Sequence, residues 1–388
     1  MTTKINLKNF ANAQQRRTVL EKEQHVNLSS LVNFSFTEEQ VQNKNIENLI
    51  GAVSVPVGVA GPLTLKGKFA QGNFYIPLAT TEGALVASVS RGCKVLSKSE
   101  NFLVKVEDVG ITRGAVFKVS DLNQAQEFLV WLKENFVLLA NVVKQTSNHL
   151  QLLQIDPQII GRNVFVRFVF CSFDAMGMNM ASKAVTLMAQ EIAKLGISCL
   201  AVAGNFDIDK KPAWLNFLKG RGKKAWAEAT IPSSVVNDVL KTTPEKIHEV
   251  VIKKCLIGSI ASGSLGFNAH FGNIIAALFC ATGQDLAHVT EGSLGITTTE
   301  ITAGGLYCSV YLPDLIIGTV GGGTGLPAQQ EALNLLQIPD ANLGEGKQVL
   351  KLAEIVAGAV LAGEISLLGA LAAGDLDKAH EKLGKGKK

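Results

Sequence analysis

The sequence predicts an α+β protein, and three observations point to that class. Strand-like and helix-like segments alternate as β-α-β-α-β between residues 103 and 206, the pattern of a small α+β unit. Valine at every second position from Val53 to Val59 indicates a further strand. The segment 346–374 reads as a long helix rich in Ala and Gly, a composition that lets helices approach closely. We therefore expect a mixed fold with one long, closely packed helix.

Composition limits the function classes. The chain has 388 residues, of which 47% are hydrophobic and 18% charged, enough for a large core and two or three domains. The net charge of +4 comes from 37 basic and 33 acidic residues, which is too small an excess for a general nucleic-acid binder. The basic cluster Lys382 to Lys388 at the end of the chain is expected to be a solvated tail.

Cysteines and apolar segments predict a cytoplasmic protein. The six cysteines form no CxxC pair, which argues against a zinc site or a disulfide framework and fits a reducing compartment. The N-terminal segment lacks the apolar core of a signal peptide. Residues 255–284 contain no Asp, Glu, Lys or Arg, but they include Gly, Ser, Asn and His. We interpret them as a buried helix rather than a membrane span.

Capping signals predict the helices in the first hundred residues. Residues 1–45 read as helical, with a cap at Ser35 or Thr37 before an acidic pair. Thr80 or Thr81 is expected to cap a helix that runs to Arg91, with the next residue, a glycine, just past its end.

The remaining elements follow from hydrophobic periodicity. Strands are expected at 103–120, 161–173, 198–206 and 224–231, and helices at 122–154, 180–195, 232–241, 255–284 and 346–374. We find no internal repeat and no low-complexity linker.

Four ionisable residues stand in apolar or glycine-rich surroundings: Glu82, Lys210, Asp285 and His380. Each has an ordinary alternative. Glu82 could be a first-turn acid favoured by a helix dipole, Lys210 part of a solvated turn, and His380 a surface histidine. Asp285 is expected at the end of the neutral helix, where the dipole disfavours an acid and a nearby cation is required.

Two loops could hold a cofactor. Residues 319–327, "TVGGGTGLP", let the backbone approach a phosphate, but they lack the GxGxxG spacing of a Rossmann fingerprint. Residues 173–180, "FDAMGMNM", follow a predicted strand and open a helix, and a helix N-terminus favours anions. The soft methionines could contact a flat ring. By themselves, residues 173–180 would more often be a turn and a helix cap than a cofactor site.

Taken together, seven segments resemble the 3-hydroxy-3-methylglutaryl-coenzyme A (HMG-CoA) reductase family. They run in the family's order from about residue 45 to the C-terminus: "ENLIGAVSVPVGVAGPL", "ATTEGALVAS", "DAMGMNM", "GNFDIDKKPA", "GSLGFNAHFGNI", "GQD" and "IGTVGGGTGLP".

The resemblance implies a role for individual residues. It makes Glu82 the catalytic glutamate, Lys210 the oxyanion lysine, Asp285 the catalytic aspartate and His380 the acid that protonates the thiolate. Substrate and coenzyme A would contact Glu47, Asn48, Arg113, Ala203, Asn205, Asp209, Lys211, Lys254, His270 and Asn273. The nicotinamide cofactor would contact Ser88, Arg91, Lys94, Asp174, Met176, Gly177, Met178, Asn179, Val320 and Gly321.

The resemblance also implies a branch of the family. The lysine within "DKKPA", and the absence of a lysine from "NAHFGN", are similar to the eukaryotic and archaeal enzymes, which implies NADPH, with NADH possible. The membrane anchor of the animal enzymes is missing, so a form without membrane attachment is expected. The tail "AHEKLGKGKK" lacks the Met after His, the second His and the regulatory Ser of the family's usual ending.

The implied architecture has a helical N-terminal segment at 1–45 and a large α/β domain around a long central helix at 46–113 and 203–374. A ferredoxin-like cofactor-binding domain is inserted at 114–202, and a tail at 375–388 carries the catalytic His. The family's active site lies between subunits, which implies a homodimer or a tetramer of dimers.

The implied chemistry delivers two hydrides to a thioester and needs no metal. Apolar neighbours and Asp285 are expected to keep Glu82 protonated. The alternatives left open are NAD-dependent oxidation of mevalonate, a coenzyme A-binding homologue without catalysis, and a membrane-associated scaffold that uses the basic tail.

Overall fold

A computed structural model describes residues 6–42 and 44–374. Its strands are Val57–Lys66 (β1), Gln71–Ala79 (β2), Glu100–Lys118 (β3), Gln151–Ile160 (β4), Asn163–Cys171 (β5), Ser198–Ala201 (β6), Arg221–Pro232 (β7), Ile296–Thr302 (β8) and Gly305–Leu315 (β9).

The α-helices are Ala13–Gln24 (α1), Glu38–Val41 (α2), Leu85–Leu96 (α3), Leu122–Glu134 (α4), Phe136–Thr146 (α5), Met178–Ala193 (α6), Trp214–Lys219 (α7), Ser233–Val235 (α8), Pro244–Val250 (α9), Ser259–Ser262 (α10), Phe271–Thr282 (α11), Val289–Gly292 (α12), Pro327–Leu335 (α13) and Gln348–Ala373 (α14). Two π-helical segments, Val236–Leu240 and Val251–Gly258, continue α8 and α9. Short 3₁₀ turns are Leu7–Asn9, Ser29–Leu31, Leu286–His288 and Gly322–Gly325.

A large antiparallel sheet organises the molecule. It has seven strands in the order β4-β5-β3-β7-β9-β8, with β6 paired to β3, while β1 and β2 form a separate hairpin. The 19-residue strand β3 belongs to both halves of this sheet. Its first part pairs with β7, and its second part, from Ile111 to Lys118, pairs with β5. A single strand therefore connects the two parts of the fold.

Two hydrophobic cores lie on either side of that connection. The larger core surrounds α14 and takes residues from β1, β2, α3, β7, β9 and α11. The smaller one lies between the second half of β3, strands β4 and β5, and helices α4 to α6. The elements around the smaller core follow one another as β3, α4, α5, β4, β5, α6 and β6. The expected domain boundaries at 113/114 and 202/203 stay a prediction.

The long C-terminal helix is confirmed, and its small residues explain how it packs. A Cβ added to Gly92 of α3 would lie 1.8 Å from the carbonyl oxygen of Ala362 in α14, so the two helices touch through their backbones. Among the described residues, α14 alone is long and apolar enough to cross a membrane. Because 83% of its most apolar window is buried inside the protein, the core accounts for that apolarity.

The helix after Glu82 differs from the prediction at both ends. It begins at Leu85, not at Thr80 or Thr81, because Ala84 adopts a left-handed conformation (φ 71°) just before the first turn. It ends at Leu96, so Gly92 serves close packing inside the helix rather than its termination. The valine pattern is also shifted, because β1 begins only at Val57.

Two long helical predictions are wrong. The block 122–154 divides into α4 and α5 at Asn135 and then becomes strand β4, whose side chains alternate in exposure too weakly to reveal it. The neutral segment 255–284 is interrupted at Gly263, which takes a left-handed conformation (φ 71°) after α10. Its second half, α11, therefore stands alone. In the N-terminal segment, the cap falls on Thr37, which forms a capping box with Gln40.

Candidate active site

A cleft of about 520 Å³ brings together residues that are far apart in the sequence. One wall consists of the start of α6, and another consists of the glycine loop before α13. Lys210 and Asp285 line the same cleft. Its complete lining is Arg113, Ala175–Met180, Asp209, Lys210, Gly283–Asp285, His288, Gly318 and Val320–Thr324.

Lys210 and Asp285 form an ion pair in this cleft. Nζ of Lys210 lies 2.8 Å from Oδ2 of Asp285, and both side chains are about two-fifths exposed, at 42% and 39%. Partial burial raises the pKa of Asp285. The hydrogen bonds from Lys210 and from the backbone N–H of Ala287, with the charges of His288 and Lys210, outweigh that effect, so the net pKa lies below its usual value. Asp285 is therefore a carboxylate at neutral pH.

The structure corrects the expected position of Asp285. The carboxylate does not end a helix, because α11 stops at Thr282 and Asp285 caps the short turn Leu286–His288. Its Oδ1 accepts the backbone N–H of Ala287 at 3.0 Å. The cation that the sequence required is nevertheless present, in the form of Lys210.

The loop that carries Lys210 is held by buried ion pairs. Arg221 is fully buried at the start of β7 and donates to Oδ1 of Asp209 at 2.8 Å. Burial raises the pKa of Asp209, but Arg221, His288 and Arg113 together bring it below its usual value. Arg113 also donates to Oδ2 of Asp207 at 3.1 Å. Asp209 and Arg113, both expected to contact substrate, are thus already paired within the chain.

Beneath Lys210 lies a second carboxylate. Oε1 of the fully buried Glu291 accepts hydrogen bonds from the backbone N–H of Lys210 at 3.0 Å and from Arg221 at 2.9 Å. It also lies 2.6 Å from Nδ1 of His288. The ligating atoms of Asp209, His288 and Glu291 lie within 4.8 Å of one another. Because Arg221 donates to both carboxylates, its positive charge already balances part of their negative charge.

The two candidate cofactor loops pack backbone to backbone. The backbone N–H of Thr319 donates to the carbonyl of Asp174 at 2.7 Å, and a Cβ on Gly318 would lie 2.5 Å from the nitrogen of Met176. Gln284 fastens the glycine loop from the other side. Its side chain exchanges two hydrogen bonds with the backbone of Gly318, both 2.9 Å long. Gly318 therefore lets the two chain segments approach closely, which a side chain at that position would prevent.

Helix α6 opens towards the cleft. Gly177 takes a left-handed conformation (φ 85°) at its N-cap, no side chain caps its first turn, and Met178 and Asn179 line the cleft. A helix start of this kind favours an anionic group. Asp174, by contrast, binds the chain itself. Its two carboxylate oxygens accept hydrogen bonds from the backbone N–H groups of Gly346 at 2.7 Å and Val349 at 3.0 Å.

Glu82 lies away from this cleft. It is exposed, and its Oε2 accepts a hydrogen bond from Asn273 at 2.7 Å. Asn273 is on the first turn of α11, whereas Asp285 follows the end of that helix. With a rise of about 1.5 Å per residue, the nine steps from Asn273 to the end of α11 span about 14 Å. In one chain, therefore, Glu82 and the Lys210–Asp285 pair occupy opposite ends of α11.

His270 lies at the start of α11, on the Glu82 side. The buried Glu364 of α14 accepts the backbone N–H groups of Ala269 and His270 at 2.8 and 2.7 Å, which fixes the start of α11. Nε2 of His270 is buried and has no hydrogen-bond partner among the described residues. Lys254 lines a separate, polar pocket of about 790 Å³ with the residues after α10.

Other predicted contacts are dispersed. Arg91 of α3 donates to the hydroxyl and carbonyl oxygens of Ser366 at 2.9 and 2.7 Å, and Ser88 donates to the same hydroxyl at 2.9 Å. The remaining predicted residues are exposed or half-exposed: Glu47, Asn48, Lys94, Ala203, Asn205 and Lys211. Lys211 donates to Oδ1 of Asn205 at 3.3 Å. His380 lies outside the described residues.

Sequence reasoning missed Arg221, Gln284, His288 and Glu291. Arg221 stands in a basic run that resembles a surface segment, and Glu291 follows a short turn without an apolar pattern. No local signal marks their burial. Gln284 and His288 flank Asp285 closely in the sequence, and that proximity is the one signal that could have found them.

Comparisons with known proteins identify the family. A family model described as "Hydroxymethylglutaryl-coenzyme A reductase" matches residues 12–385. The chain belongs to that family. A 3-hydroxy-3-methylglutaryl-coenzyme A reductase from Methanocaldococcus jannaschii is 50% identical over 377 residues, covering 95% of this chain and 92% of the relative. One from Pyrococcus abyssi is 47% identical over 378 residues, covering 95% and 92%.

Solved structures of more distant reductases share the fold. A class II HMG-CoA reductase from Streptococcus pneumoniae, bound to NADPH in open conformations, superposes with a TM-score of 0.66 at 19% identity. The match covers 94% of this chain and 98% of that one. The mixed α+β fold is therefore that of HMG-CoA reductases.

Proposed function

We propose that this chain catalyses the four-electron reduction of HMG-CoA to mevalonate and coenzyme A, with NADPH as the reductant. Membership of the family supports the reaction. The observation that carries the mechanism is the ammonium of Lys210, 2.8 Å from Asp285 in a cleft bordered by two loops suited to a nucleotide.

Lys210 stabilises negative charge on the substrate. When a hydride reaches the thioester carbon, the carbonyl oxygen becomes the oxyanion of a hemithioacetal, and a positioned ammonium lowers the energy of that charge. Asp285 holds the ammonium in place and balances its charge in the ground state. The same ammonium serves the aldehyde oxygen in the second reduction.

Two proton donors complete the reaction. Collapse of the hemithioacetal releases the thiolate of coenzyme A, for which the family resemblance offers His380. The aldehyde oxygen of mevaldehyde needs a proton in the second step, and Glu82 is our candidate. The expected apolar enclosure of Glu82 is not provided by its own chain, since the side chain is exposed.

We infer that a second copy of the chain supplies that enclosure. Glu82 and Lys210 lie at opposite ends of α11 in one chain, so they meet only if the site is shared between subunits. The hairpin that leads to Glu82 and the segment just before it expose apolar side chains. Val53, Val57, Val59 and Tyr75 are 81%, 58%, 49% and 50% exposed, as an interface between two copies requires.

The residues of the cleft fit a nicotinamide dinucleotide. A Cβ on Gly321 or Gly322 would meet no atom within 4 Å, so the backbone there is open to a ligand, and the uncapped start of α6 suits a phosphate. Met176, Met178 and Val320 offer apolar contacts to a ring. When bound, the cofactor supplies the hydride. The preference for NADPH over NADH rests on the family resemblance.

We assign the domains on the same basis. The order β-α-β-β-α-β around the smaller core, with α4 and α5 in place of the first helix, supports a ferredoxin-like cofactor-binding domain at 114–202. The larger core then belongs to the substrate-binding domain. We place coenzyme A near Glu47 and Asn48, and we keep the cytoplasmic location as a prediction.

The test is an assay of reduced-nicotinamide oxidation with HMG-CoA, run with NADPH and NADH at equal concentrations. We expect two equivalents of cofactor to be consumed per thiol released, since each hydride transfer oxidises one cofactor, and NADPH to be used faster. Absence of thiol release with either cofactor would contradict the proposed function. Faster oxidation of mevalonate with NAD than reduction with NADPH would favour the catabolic alternative.

A further inference from the structure

Lys210 is held at both of its ends by one group of side chains, and two members of that group have no part in the mechanism above. Its ammonium pairs with Asp285, and its backbone N–H donates to Glu291. His288 lies between the two carboxylates. Its Nδ1 is 2.6 Å from Oε1 of Glu291, and its Nε2 is 3.8 Å from Oδ2 of Asp285.

Geometry determines which edge of the imidazole faces which partner. Oε1 of Glu291 is an acceptor that already receives two N–H donors, so Nδ1 of His288 must carry a proton and donate it. That bond fixes the ring and directs Nε2 towards Asp285. His288 is only 1% exposed, and Nε2 has no hydrogen-bond partner among the described residues. A buried polar atom without a partner carries a free-energy cost, so its position needs an explanation.

The contact between His288 and Asp285 is slightly too long for a hydrogen bond. Catalytic contacts are often long in unliganded enzymes and shorten when the substrate binds. His288 lines the cleft with Lys210 and Asp285, so closure of the cleft around a ligand would act on this contact directly. A movement of less than about 1 Å would bring Nε2 within hydrogen-bond distance of the carboxylate. Because Nδ1 already carries one proton, Nε2 donates to Asp285 when the ring is the doubly protonated imidazolium.

The backbone of Lys210 also needs support. Its φ of 58° is in the left-handed region, which is unfavourable for a residue with a side chain. Glu291 receives the N–H of this strained residue, while Arg221 and His288 hold Glu291 in place. The same buried carboxylate, Glu291, therefore fixes both the loop that carries Lys210 and the imidazole ring of His288.

We propose that His288 and Glu291 form a positioning pair for the Lys210 ammonium: Glu291 fixes the backbone of Lys210 and the imidazole ring, and His288 orients Asp285. The inference rests on the proposed reductase function. His288 is a positioning residue, because it acts on the substrate only through Asp285 and Lys210. A misplacement of about 1 Å at a reacting group can lower the rate about 100-fold.

Three substitutions of His288 distinguish the roles of its two ring nitrogens, Nδ1 and Nε2. His288→Gln places an amide donor near the position of Nε2, His288→Asn places one near Nδ1, and His288→Leu removes both. Because orientation of Asp285 is the proposed task, we expect His288→Gln to keep kcat within about fivefold of the wild type. His288→Leu and His288→Asn should lose at least about 30-fold in kcat. The KM for HMG-CoA and the Kd for NADPH should change less than about twofold in all three.

A second measurement tests whether His288 acts through Asp285. In an Asp285→Asn background, His288→Leu should cause less than about a twofold further loss in single-turnover cofactor oxidation, because the side chain it orients is already altered. His248 provides the matched control. It is half-buried, and its Nδ1 contacts Thr299 at 2.9 Å outside the cleft, so His248→Leu should leave kcat unchanged.

The outcomes separate this inference from the proposed function. If the wild type does not reduce HMG-CoA, the proposed function fails. If the wild type is active and His288→Leu stays within threefold of its kcat, the positioning pair is overturned. Equal losses in His288→Gln and His288→Leu would also overturn it, as would a full 30-fold loss on top of Asp285→Asn. If His288→Leu binds fewer NADPH molecules per chain than the wild type, His288 has a structural role and the proposal is refuted.

Discussion

Asp285 and Lys210 form their ion pair in an open cleft, 2.8 Å apart, although 75 residues separate them in the sequence. The aspartate holds its charge because the lysine and the backbone N–H of Ala287 outweigh its partial burial. The pair therefore combines a fixed ammonium with access from solvent, which is the arrangement that an oxyanion-stabilising lysine needs.

Replacement of that lysine should abolish most of the activity. Lys210→Ala removes the ammonium that we propose stabilises the oxyanion, so we expect kcat to fall about 100- to 1000-fold, the usual cost of losing such a donor. NADPH binding, followed by fluorescence titration, should be retained. Lys219→Ala, which removes an ammonium paired with Asp156 on the surface, should behave as the wild type. Normal turnover by Lys210→Ala would exclude the proposed role.

Glu82 should be needed for a proton and not for the fold. Glu82→Gln keeps a side-chain oxygen for Asn273 but cannot donate a carboxylic proton, so reduction of added mevaldehyde should fall by about 100-fold or more. Circular dichroism and mevaldehyde binding should be unchanged. Glu134→Gln, an exposed acid on α4, is the control. Undiminished mevaldehyde reduction would remove Glu82 as the proton donor.

Mixed dimers should recover activity if the site is shared between subunits. Lys210→Ala and Glu82→Gln damage opposite ends of α11, so a heterodimer of the two variants contains one intact site and one doubly damaged site. Coexpression in equal amounts should yield about a quarter of the wild-type activity, since half of the dimers are mixed and each has one of two sites intact. A mixture as inactive as its components would show that one chain must supply both residues.

Asp314 should make the stability depend on pH near neutrality. Complete burial raises the pKa of Asp314 to about 8, although the nearby Arg221 opposes that rise. The folded protein thus keeps a proton that the unfolded chain releases near pH 4, and stability falls as pH rises between these values, by about 1.4 kcal/mol per pH unit. Asp314→Asn should flatten this dependence in urea unfolding at pH 5.5 and 7.5. Parallel pH profiles for both proteins would contradict the burial argument.

Gly92 should tolerate no side chain. A Cβ there would lie 1.8 Å from the carbonyl oxygen of Ala362, in the backbone of the central helix, so Gly92→Ala forces α3 and α14 apart. We expect a loss of about 3 kcal/mol or more in the free energy of unfolding. Gly344→Ala is the control, because a Cβ at Gly344 meets no atom within 4 Å. Equal stabilities of the two variants would show that the helices can separate at little cost.

Sequence patterns predicted the elements whose local signals are strong. The long helix α14 and the strand β7 were correctly expected, and the cap falls on Thr37, one of the two residues proposed for it. The patterns failed where neighbouring segments decide the backbone. Strand β4 was predicted as the end of a helix. Its own side chains do not indicate a strand, which forms because the segment pairs with β5. The neutral segment 255–284 was predicted as one helix. The sequence does not show whether a glycine in an apolar run takes a left-handed conformation, which ends the helix, or packs inside the helix.

The sequence by itself determined the family, because motifs such as "DKKPA" and "GQD" depend on residues next to each other along the chain. The same motifs supplied the reacting groups that we propose. Only the tertiary structure decided how those groups are held. Glu291 meets Lys210 across 81 residues and Arg221 across 70, and such ion pairs leave no periodic trace in either segment. Likewise, the separation of Glu82 from Lys210 depends on the direction of α11, which the packing of that helix against α14 sets.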